Sequence, residues 1–264
     1  MNKIKFPMIA EEPFITIQGE GQRIGQICCL VRLEGCNLRC AWCDSSYTWN
    51  TSSRSRLLSL IDIPLLISLR KILITGGEPL LQMEELVSMF SGFSSYQQNV
   101  FEDCSIEIET NGTINIEKHY FLEFCRGRMM RNHIRGREFS SEIYLNVSPK
   151  LDNITPEVEE NIKNCLVYSN LLHPIFKFVV KDDEDVSIVL SLINRLSIPK
   201  GLVYLQPLHN RRHSLRKKSL FVLEKCLENG LNFSPRLQIY LFNDNESQWI
   251  AKKKIEYKNL KDLP

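Results

Sequence analysis

Ile27-Cys28-Cys29-Leu30-Val31-Arg32-Leu33 runs directly into Glu34-Gly35-Cys36-Asn37-Leu38-Arg39-Cys40-Ala41-Trp42-Cys43-Asp44. The first stretch is short, apolar and suited to a pleated surface, so it reads as a buried strand. The second is polar, opens on a glycine and spaces its cysteines C-x3-C-x2-C, so it reads as a loop that can turn three thiolates towards one centre. Outward from this pair, apolar runs recur at residues 72–75, 106–109, 143–147, 175–180, 202–205 and 237–242. Helical periodicity lies between most of them, at 83–90, 116–124, 157–165, 185–196 and 215–227. Alternation of strand and helix predicts an α/β fold with a mainly parallel sheet. Several strands end in polar or glycine-rich punctuation: Thr75-Gly76-Gly77-Glu78-Pro79, Glu109-Thr110-Asn111-Gly112, Asn146-Val147-Ser148-Pro149-Lys150 and Gln206-Pro207. Ligands of parallel sheets sit at the carboxyl ends of strands, so these segments are expected to converge on one site.

Composition narrows the remaining classes. The 264 residues carry 33 Lys+Arg against 31 Asp+Glu, a net charge of +2, which makes no case for a generic nucleic-acid binder. With 43% apolar and 24% charged residues, disorder and low-complexity scaffolds are excluded. Residues 1–264 read as a single domain with a polar, lysine-rich tail from about 243, and segments 91–103 and 127–140 read as surface excursions. No run reaches the roughly eighteen apolar residues a membrane span needs; the longest, 57–69, is broken by Ser59, Asp62, Pro64 and Ser68. Glu11, Glu12 and Pro13 stand where a secretory apolar region would be, so no membrane partner and a cytoplasmic location are expected. The nine cysteines are then read as thiols or metal ligands rather than disulfides.

Thiolate is a soft ligand for iron–sulfur clusters, zinc or Cu(I), and closed sites ordinarily use four ligands. Cys36, Cys40 and Cys43 have no local fourth. A 4Fe–4S cluster held by three thiolates leaves one iron open to an external ligand, which suggests catalysis. A zinc site completed by His119 or Cys104, or three incidental buried thiols, are the alternatives that spacing leaves open.

With the Gly76-Gly77-Glu78-Pro79 turn after a second strand, the C-x3-C-x2-C loop resembles the radical S-adenosylmethionine (SAM) superfamily. Its members use a partial (β/α) barrel, here with about six core parallel strands. Thr16-Ile17-Gln18-Gly19-Glu20-Gly21-Gln22-Arg23-Ile24-Gly25, Val31–Cys40, Glu109-Thr110-Asn111-Gly112 and Val147-Ser148-Pro149-Lys150 follow in order, and together they are similar to the 7-carboxy-7-deazaguanine synthase family over about residues 9–240. That resemblance implies a carbon–nitrogen lyase of queuosine biosynthesis. It would contract 6-carboxy-5,6,7,8-tetrahydropterin to 7-carboxy-7-deazaguanine, releasing ammonia.

The resemblance also implies a residue for each task. Cys36, Cys40 and Cys43 would hold the cluster, and Trp42, Cys43, Asp44, Gly77, Ser148, Pro149 and Lys150 would bind SAM, with Gln206 and Asn210 closing the pocket. Ile17, Gln18, Gly19 and Thr75 would line the pterin, Arg32 would take its carboxylate, and the terminal Pro264 is a further candidate. Mg²⁺ would sit at Ser45, where threonine is commoner in the family. A reductant such as a flavodoxin or ferredoxin, and a homodimer, are the implied partners. Relatives tend to carry a His-Lys pair where this chain has Arg236-Leu237-Gln238-Ile239, which puts a substrate role for that segment in doubt.

Bland readings stand beside these. Arg32 can pair with Glu34; Gln18 and Glu20 can sit in a solvated turn; Lys150 can be a surface lysine; Glu78 can cap a helix. The basic runs 126–137 and 211–218 read as solvated loops and a helix start, and Cys28, Cys29, Cys104, Cys125, Cys165 and Cys226 as small packing residues. The competing functions are a glycyl-radical-enzyme activase and a zinc-stabilised RNA-binding protein.

Overall fold

The computed structural model describes residues 4–51, 55–92, 100–117, 121–134, 142–208 and 212–242. The elements in order are β1 (Met8–Ile9), β2 (Phe14–Ile17), β3 (Ile27–Leu33), β4 (Arg56–Leu57), α1 (Ile63–Ser68), β5 (Lys71–Gly76), α2 (Met83–Gly92), β6 (Ser105–Thr110), α3 (Phe121–Ile134), β7 (Ile143–Val147), α4 (Pro156–Val167), α5 (Ser169–Leu172), β8 (Ile175–Val180), α6 (Asp183–Leu196), β9 (Val203–Pro207), α7 (Arg212–Asn229), β10 (Asn232–Phe233) and α8 (Leu237–Phe242). They form one sheet in the order β10-β9-β8-β7-β6-β5-β3-β1-β4, with β2 also on β3. Pairing is parallel from β3 to β10 and antiparallel where β1, β2 and β4 gather at the β3 edge. The fold is therefore α/β with a mostly parallel sheet.

Strand alternation divides the sheet into two unlike faces. Val31 and Leu33, Ile72 and Ile74, Ile106 and Ile108, Leu145 and Val147, Phe176 and Phe178, and Val203 and Leu205 all enter one continuous core beneath the helices. Their neighbours turn the other way and are mostly polar: Arg32, Thr75, Glu107, Glu109, Asn146, Lys177 and Gln206. Cys28, Leu30 and Leu73, packed by Phe14, form the small apolar patch of this second face. Parallel strands buried on both sides normally read as unbroken apolar runs. The Glu107 and Glu109 interruptions in β6, and Lys177 in β8, therefore mark the face that lines a cavity.

Helix ends follow the chemistry of their first residues. Thr155 accepts from Val158 N at 3.4 Å before Pro156 opens α4. Asp182 accepts from Asp185 N at 3.0 Å before α6, whose first turn carries Asp183, Glu184 and Asp185.

Three expectations change. Residues 237–242 form helix α8 rather than a strand: short apolar runs do not distinguish the two, and Leu237 N bonds to Gly19 O at 2.9 Å instead of joining a ladder. The helix expected from Ile116 starts at Phe121 among the described residues, with Ile116 buried in the turn before it. Residues 127–134 continue α3 instead of forming a surface excursion. Arg128 in that stretch is buried, donating to Phe101 O at 3.2 Å and Cys104 O at 2.6 Å. The tail from residue 243, Pro264, Asn210 and His119 lie outside the described residues. Among the described residues no helix is long and apolar enough to cross a membrane.

Candidate active site

A cavity of about 660 Å³ opens at the carboxyl ends of the parallel strands. The segments expected to converge do so: Thr75, Gly76 and Gly77 at the end of β5, Glu109, Thr110 and Asn111 at the end of β6, Ser148 and Lys150 after β7, and Gln206 on β9 all line it. Ile17, Gln18, Gly19, Arg32, Trp42, Asp44, Ser45 and the cysteines Cys36, Cys40 and Cys43 complete its lining. Pro149 lies between two lining residues without joining them.

The cysteine loop is held by its own backbone. Gly35 N donates to Thr48 O at 2.7 Å and Cys43 N to Cys40 O at 3.1 Å, while the Arg39 guanidinium reaches Cys36 O at 2.5 Å and Leu38 O at 2.8 Å. Leu38 N donates to Cys36 Sγ at 3.4 Å. The Gly76-Gly77 turn fits against this loop with no room to spare. A Cβ on Gly76 would lie 2.1 Å from Leu33 O, and one on Gly77 2.0 Å from Gly35 O. The glycines thus let two backbones meet behind the thiols. Glu78, fully buried, ties the arrangement together by accepting from Leu80 N at 2.9 Å, Thr110 Oγ1 at 2.7 Å and Asn111 N at 2.6 Å. Burial nonetheless pushes its carboxyl above the usual range. It caps the short turn at 79–82, as expected, and joins two strand ends as well.

The donor set fits an iron–sulfur centre. Three soft thiols share one cavity wall, and burial pushes the Cys36 and Cys40 thiols up, so a bound metal centre would be needed to hold them as thiolates at neutral pH. Among the described residues no three His, Cys, Asp or Glu groups converge as they would on a single metal ion. A cubane makes no such demand, because each thiolate binds a different iron. Cys104, the zinc alternative, is buried in the core at the opposite end of β6. The six remaining cysteines are buried, as expected of packing residues.

On the other wall, Gln18 and Glu20 are buried, which overturns the solvated-turn reading. Gln18 Nε2 donates to Glu107 Oε1 at 2.7 Å and Glu109 Oε1 at 3.3 Å. Glu20 pairs with Lys177, accepts from Arg236 Nε at 3.3 Å and from Gln238 Nε2 at 2.7 Å. Burial opposes its ionisation, but Lys177 and Arg236 together hold the carboxyl well below its usual range. Arg32 Nε donates to Glu11 Oε1 at 2.7 Å, and Tyr47 Oη to the same oxygen at 2.9 Å; among the described residues its carboxylate partner is Glu11, not Glu34. Thr75 Oγ1 donates to Glu109 Oε2 at 3.2 Å. Lys150 is no free surface lysine: its ammonium donates to Ser148 Oγ at 3.1 Å, sits 5.3 Å from the Trp42 ring centre, and is pushed down by burial and by Lys177. Ser45 Oγ lies 3.8 Å from Cys43 Sγ, and Ser45 O accepts from Thr48 N at 2.9 Å.

Lys177, Glu109, Arg236 and Gln238 line the cavity without having been assigned a role there. The signal available was the charge inside otherwise apolar strands. Arg236 and Gln238 gave none, since the departure of their segment from the family's His-Lys pair put a role for it in doubt.

Glu107 lies behind Gln18, where burial and then the neighbouring Glu109 push its carboxyl up to about 7. With a folded value above the ordinary 4.5, the native state holds a proton that the unfolded chain has lost between those pH values. Stability therefore falls as pH rises through that window, by about 3 kcal/mol in all, and levels off above it. Glu107→Gln keeps an acceptor for Gln18 and for Asn146, whose Nδ2 lies 2.5 Å from Glu107 Oε1. Urea titrations at pH 5 and pH 8 are expected to show the wild-type loss and a much flatter variant.

A thiol-lined cavity at the carboxyl ends of parallel strands, facing a wall of charged and hydrogen-bonding groups, defines an iron–sulfur enzyme of the radical SAM class. The family described as 4Fe-4S single cluster domain matches residues 17–105. The 7-carboxy-7-deazaguanine synthase of Hyperthermus butylicus is 30% identical over 236 residues, covering 86% of this chain and 90% of that protein. That of Aquifex aeolicus is 30% identical, covering 78% and 80%. The crystal structure of QueE from Escherichia coli shares the fold, with a TM-score of 0.57 and 20% identity over 88% of this chain and 94% of that one. The chain belongs to the 7-carboxy-7-deazaguanine synthase family.

Proposed function

We propose that the protein converts 6-carboxy-5,6,7,8-tetrahydropterin to 7-carboxy-7-deazaguanine, with loss of ammonia, in queuosine biosynthesis. The observation that carries this reading is the meeting, in one cavity, of the Cys36, Cys40 and Cys43 thiols with Arg32 and the Gln18–Glu20 segment. A cluster held by Cys36, Cys40 and Cys43, with SAM beside it, would supply the radical chemistry that removes one hydrogen from the substrate. The chain's own residues bind, orient and shield. Arg32 offers its guanidinium to the substrate carboxylate. Gln18, Gly19 and Thr75 face the ring edge; with Glu109 and Lys177 beside them, that wall can satisfy both donors and acceptors of a pterin. Trp42, Asp44, Gly77, Ser148, Lys150 and Gln206 form the SAM side, where the glycine backbone leaves room for the amino group. Gln18, Ser148 and Gln206 are buried in the cavity wall and limit the access of water to the reacting atoms.

The reading extends to Mg²⁺ at Ser45, whose hydroxyl is a suitable oxygen ligand, to a one-electron reductant such as a flavodoxin or ferredoxin, to a second copy as a homodimer partner, and to a partial (β/α) barrel. Two observations weigh against the RNA-binding alternative. Arg128 of the first basic run is buried on backbone carbonyls, and the Lys218 ammonium of the second is engaged by Lys181 O at 2.8 Å.

Anaerobic turnover with the carboxytetrahydropterin, SAM, Mg²⁺ and dithionite is expected to yield the deazaguanine acid and ammonia. An intact cluster with no such product rejects the assignment. Arg32→Gln is expected to raise KM for the pterin about tenfold or more, as loss of a charge-assisted hydrogen bond predicts.

A further inference from the structure

Arg236 joins two elements that reach the cavity from opposite directions. Its Nε donates to Glu20 Oε1 at 3.3 Å and its Nη2 to Asp44 Oδ2. Glu20 follows the Gln18–Gly19 stretch on the pterin side; Asp44 follows Cys43 on the SAM side. The guanidinium is buried, whereas the Asp44 side chain is 51% exposed, so the fork is anchored at the Glu20 end and reaches outward to the cysteine loop. The anchor is firm: Gln238 Nε2 and the Lys177 ammonium bind the same Glu20 carboxylate, Leu237 N bonds to Gly19 O at 2.9 Å, and Gly21 N donates to Ser234 Oγ at 2.9 Å. Nothing comparable holds Asp44 among the described residues.

We propose that Arg236 is a positioning residue that couples the two halves of the cavity, so that SAM and the pterin each tighten the other's site. The inference rests on the substrate and cofactor reading given above. Its physical basis is that one rigid, planar fork cannot follow a shift of Glu20 without pulling on Asp44. The pterin, bound against the Gln18–Gly19 stretch, sets where the anchored end points the fork, and SAM orders the exposed Asp44 end, so the second ligand to bind meets a fork already set. The coupling must be reciprocal, because it is a free energy shared by two binding equilibria. A clamp that served folding alone would hold the same contacts but leave the two affinities independent.

The test measures binding instead of turnover. Cluster-loaded protein is equilibrated anaerobically with labelled SAM, with and without saturating carboxytetrahydropterin, and then in the reverse arrangement. Wild type is expected to bind SAM about fivefold or more tightly when the pterin is present, with the same ratio for the pterin when SAM is present. Arg236→Gln and Asp44→Asn are each expected to bring both ratios close to one while the iron content per chain stays at the wild-type level. Asp44→Asn cuts the link from its exposed end and stands in if Arg236→Gln does not fold. Ratios that persist in a cluster-loaded variant, or a wild type that turns over but shows no coupling, overturn the inference and leave the function standing. A wild type that neither binds nor converts the pterin sinks the functional reading itself.

Discussion

Cys40→Ala is expected to reduce SAM cleavage to background and to leave a protein that is still folded. The thiol sits in a loop whose shape comes from other groups: the Gly35 N to Thr48 O bond, the Arg39 guanidinium on Cys36 O and Leu38 O, and Asn111 Nδ2 on Asn37 Oδ1 at 3.0 Å. Cys40 itself is only partly buried and contributes little to the core. Loss of one of three thiolates leaves two irons without a protein ligand in a cubane, which removes a third of the protein's hold on the cluster. Iron analysis should find about four irons per wild-type chain and far fewer in the variant, with the absorbance near 400 nm lost in parallel. Far-UV circular dichroism should be unchanged. Cys165→Ala, at a core cysteine of α4, is the control: it should retain the cluster and lose stability instead. A Cys40→Ala protein that still cleaved SAM would remove the cysteine loop from the chemistry.

Lys177→Met is expected to be the most destabilising single change in the polar interior. The Lys177 side chain is 5% exposed and faces two carboxylates, pairing with Glu20 and lying 3.8 Å from Glu109. Burial disfavours its charge, but Glu109 and Glu20 raise its pKa beyond the ordinary lysine range. Removing one partner of a buried pair costs about 3–5 kcal/mol, because the other charge stays behind. Glu20 keeps Arg236 and Gln238, so the lower figure is expected. The acid dependence should change as well. Glu20 has a folded pKa below its unfolded one, so its contribution is complete above the unfolded value and is lost as pH falls towards the folded one. In Lys177→Met that loss should be smaller. Glu20→Gln combined with Lys177→Met should recover much of the stability, and chemical denaturation across the cycle of four proteins separates pair energy from packing.

How far the sequence discloses this structure depends on the range of the interaction concerned. The long parallel strands are legible because each is a short apolar run between turn residues, and β7 and β8 match their expected bounds. The cysteine loop and the strand ends are legible because their chemistry is local. The strands β1, β4 and β10 are two residues each, too short for any periodicity to register. Residues 237–242 satisfy a strand pattern and a helix pattern alike, and only contact with Gly19 decides between them. The Glu20 network is assembled across separations of 157 residues to Lys177 and 216 to Arg236, so no window of sequence contains it. The departure of Arg236 and Gln238 from the family pattern argued against a role at the site, yet the structure places both in its wall. The polar second face could have been read from the glutamates alternating with isoleucines in β6, since a strand buried beneath helices on both sides would not carry them.

The bond from Leu237 N to Gly19 O, with the Arg236 and Gln238 contacts to Glu20, also has a consequence for biosynthesis. Residues 19–21 leave the ribosome long before residues 234–238 that cover them, so a nascent chain holds its three cysteines in a compartment still open on one side. Contacts of such sequence separation form late in folding. The compartment that holds Cys36, Cys40 and Cys43 is therefore complete only once residues 234–238 have docked, so the wall facing the cysteine loop is the last part of the cavity to form.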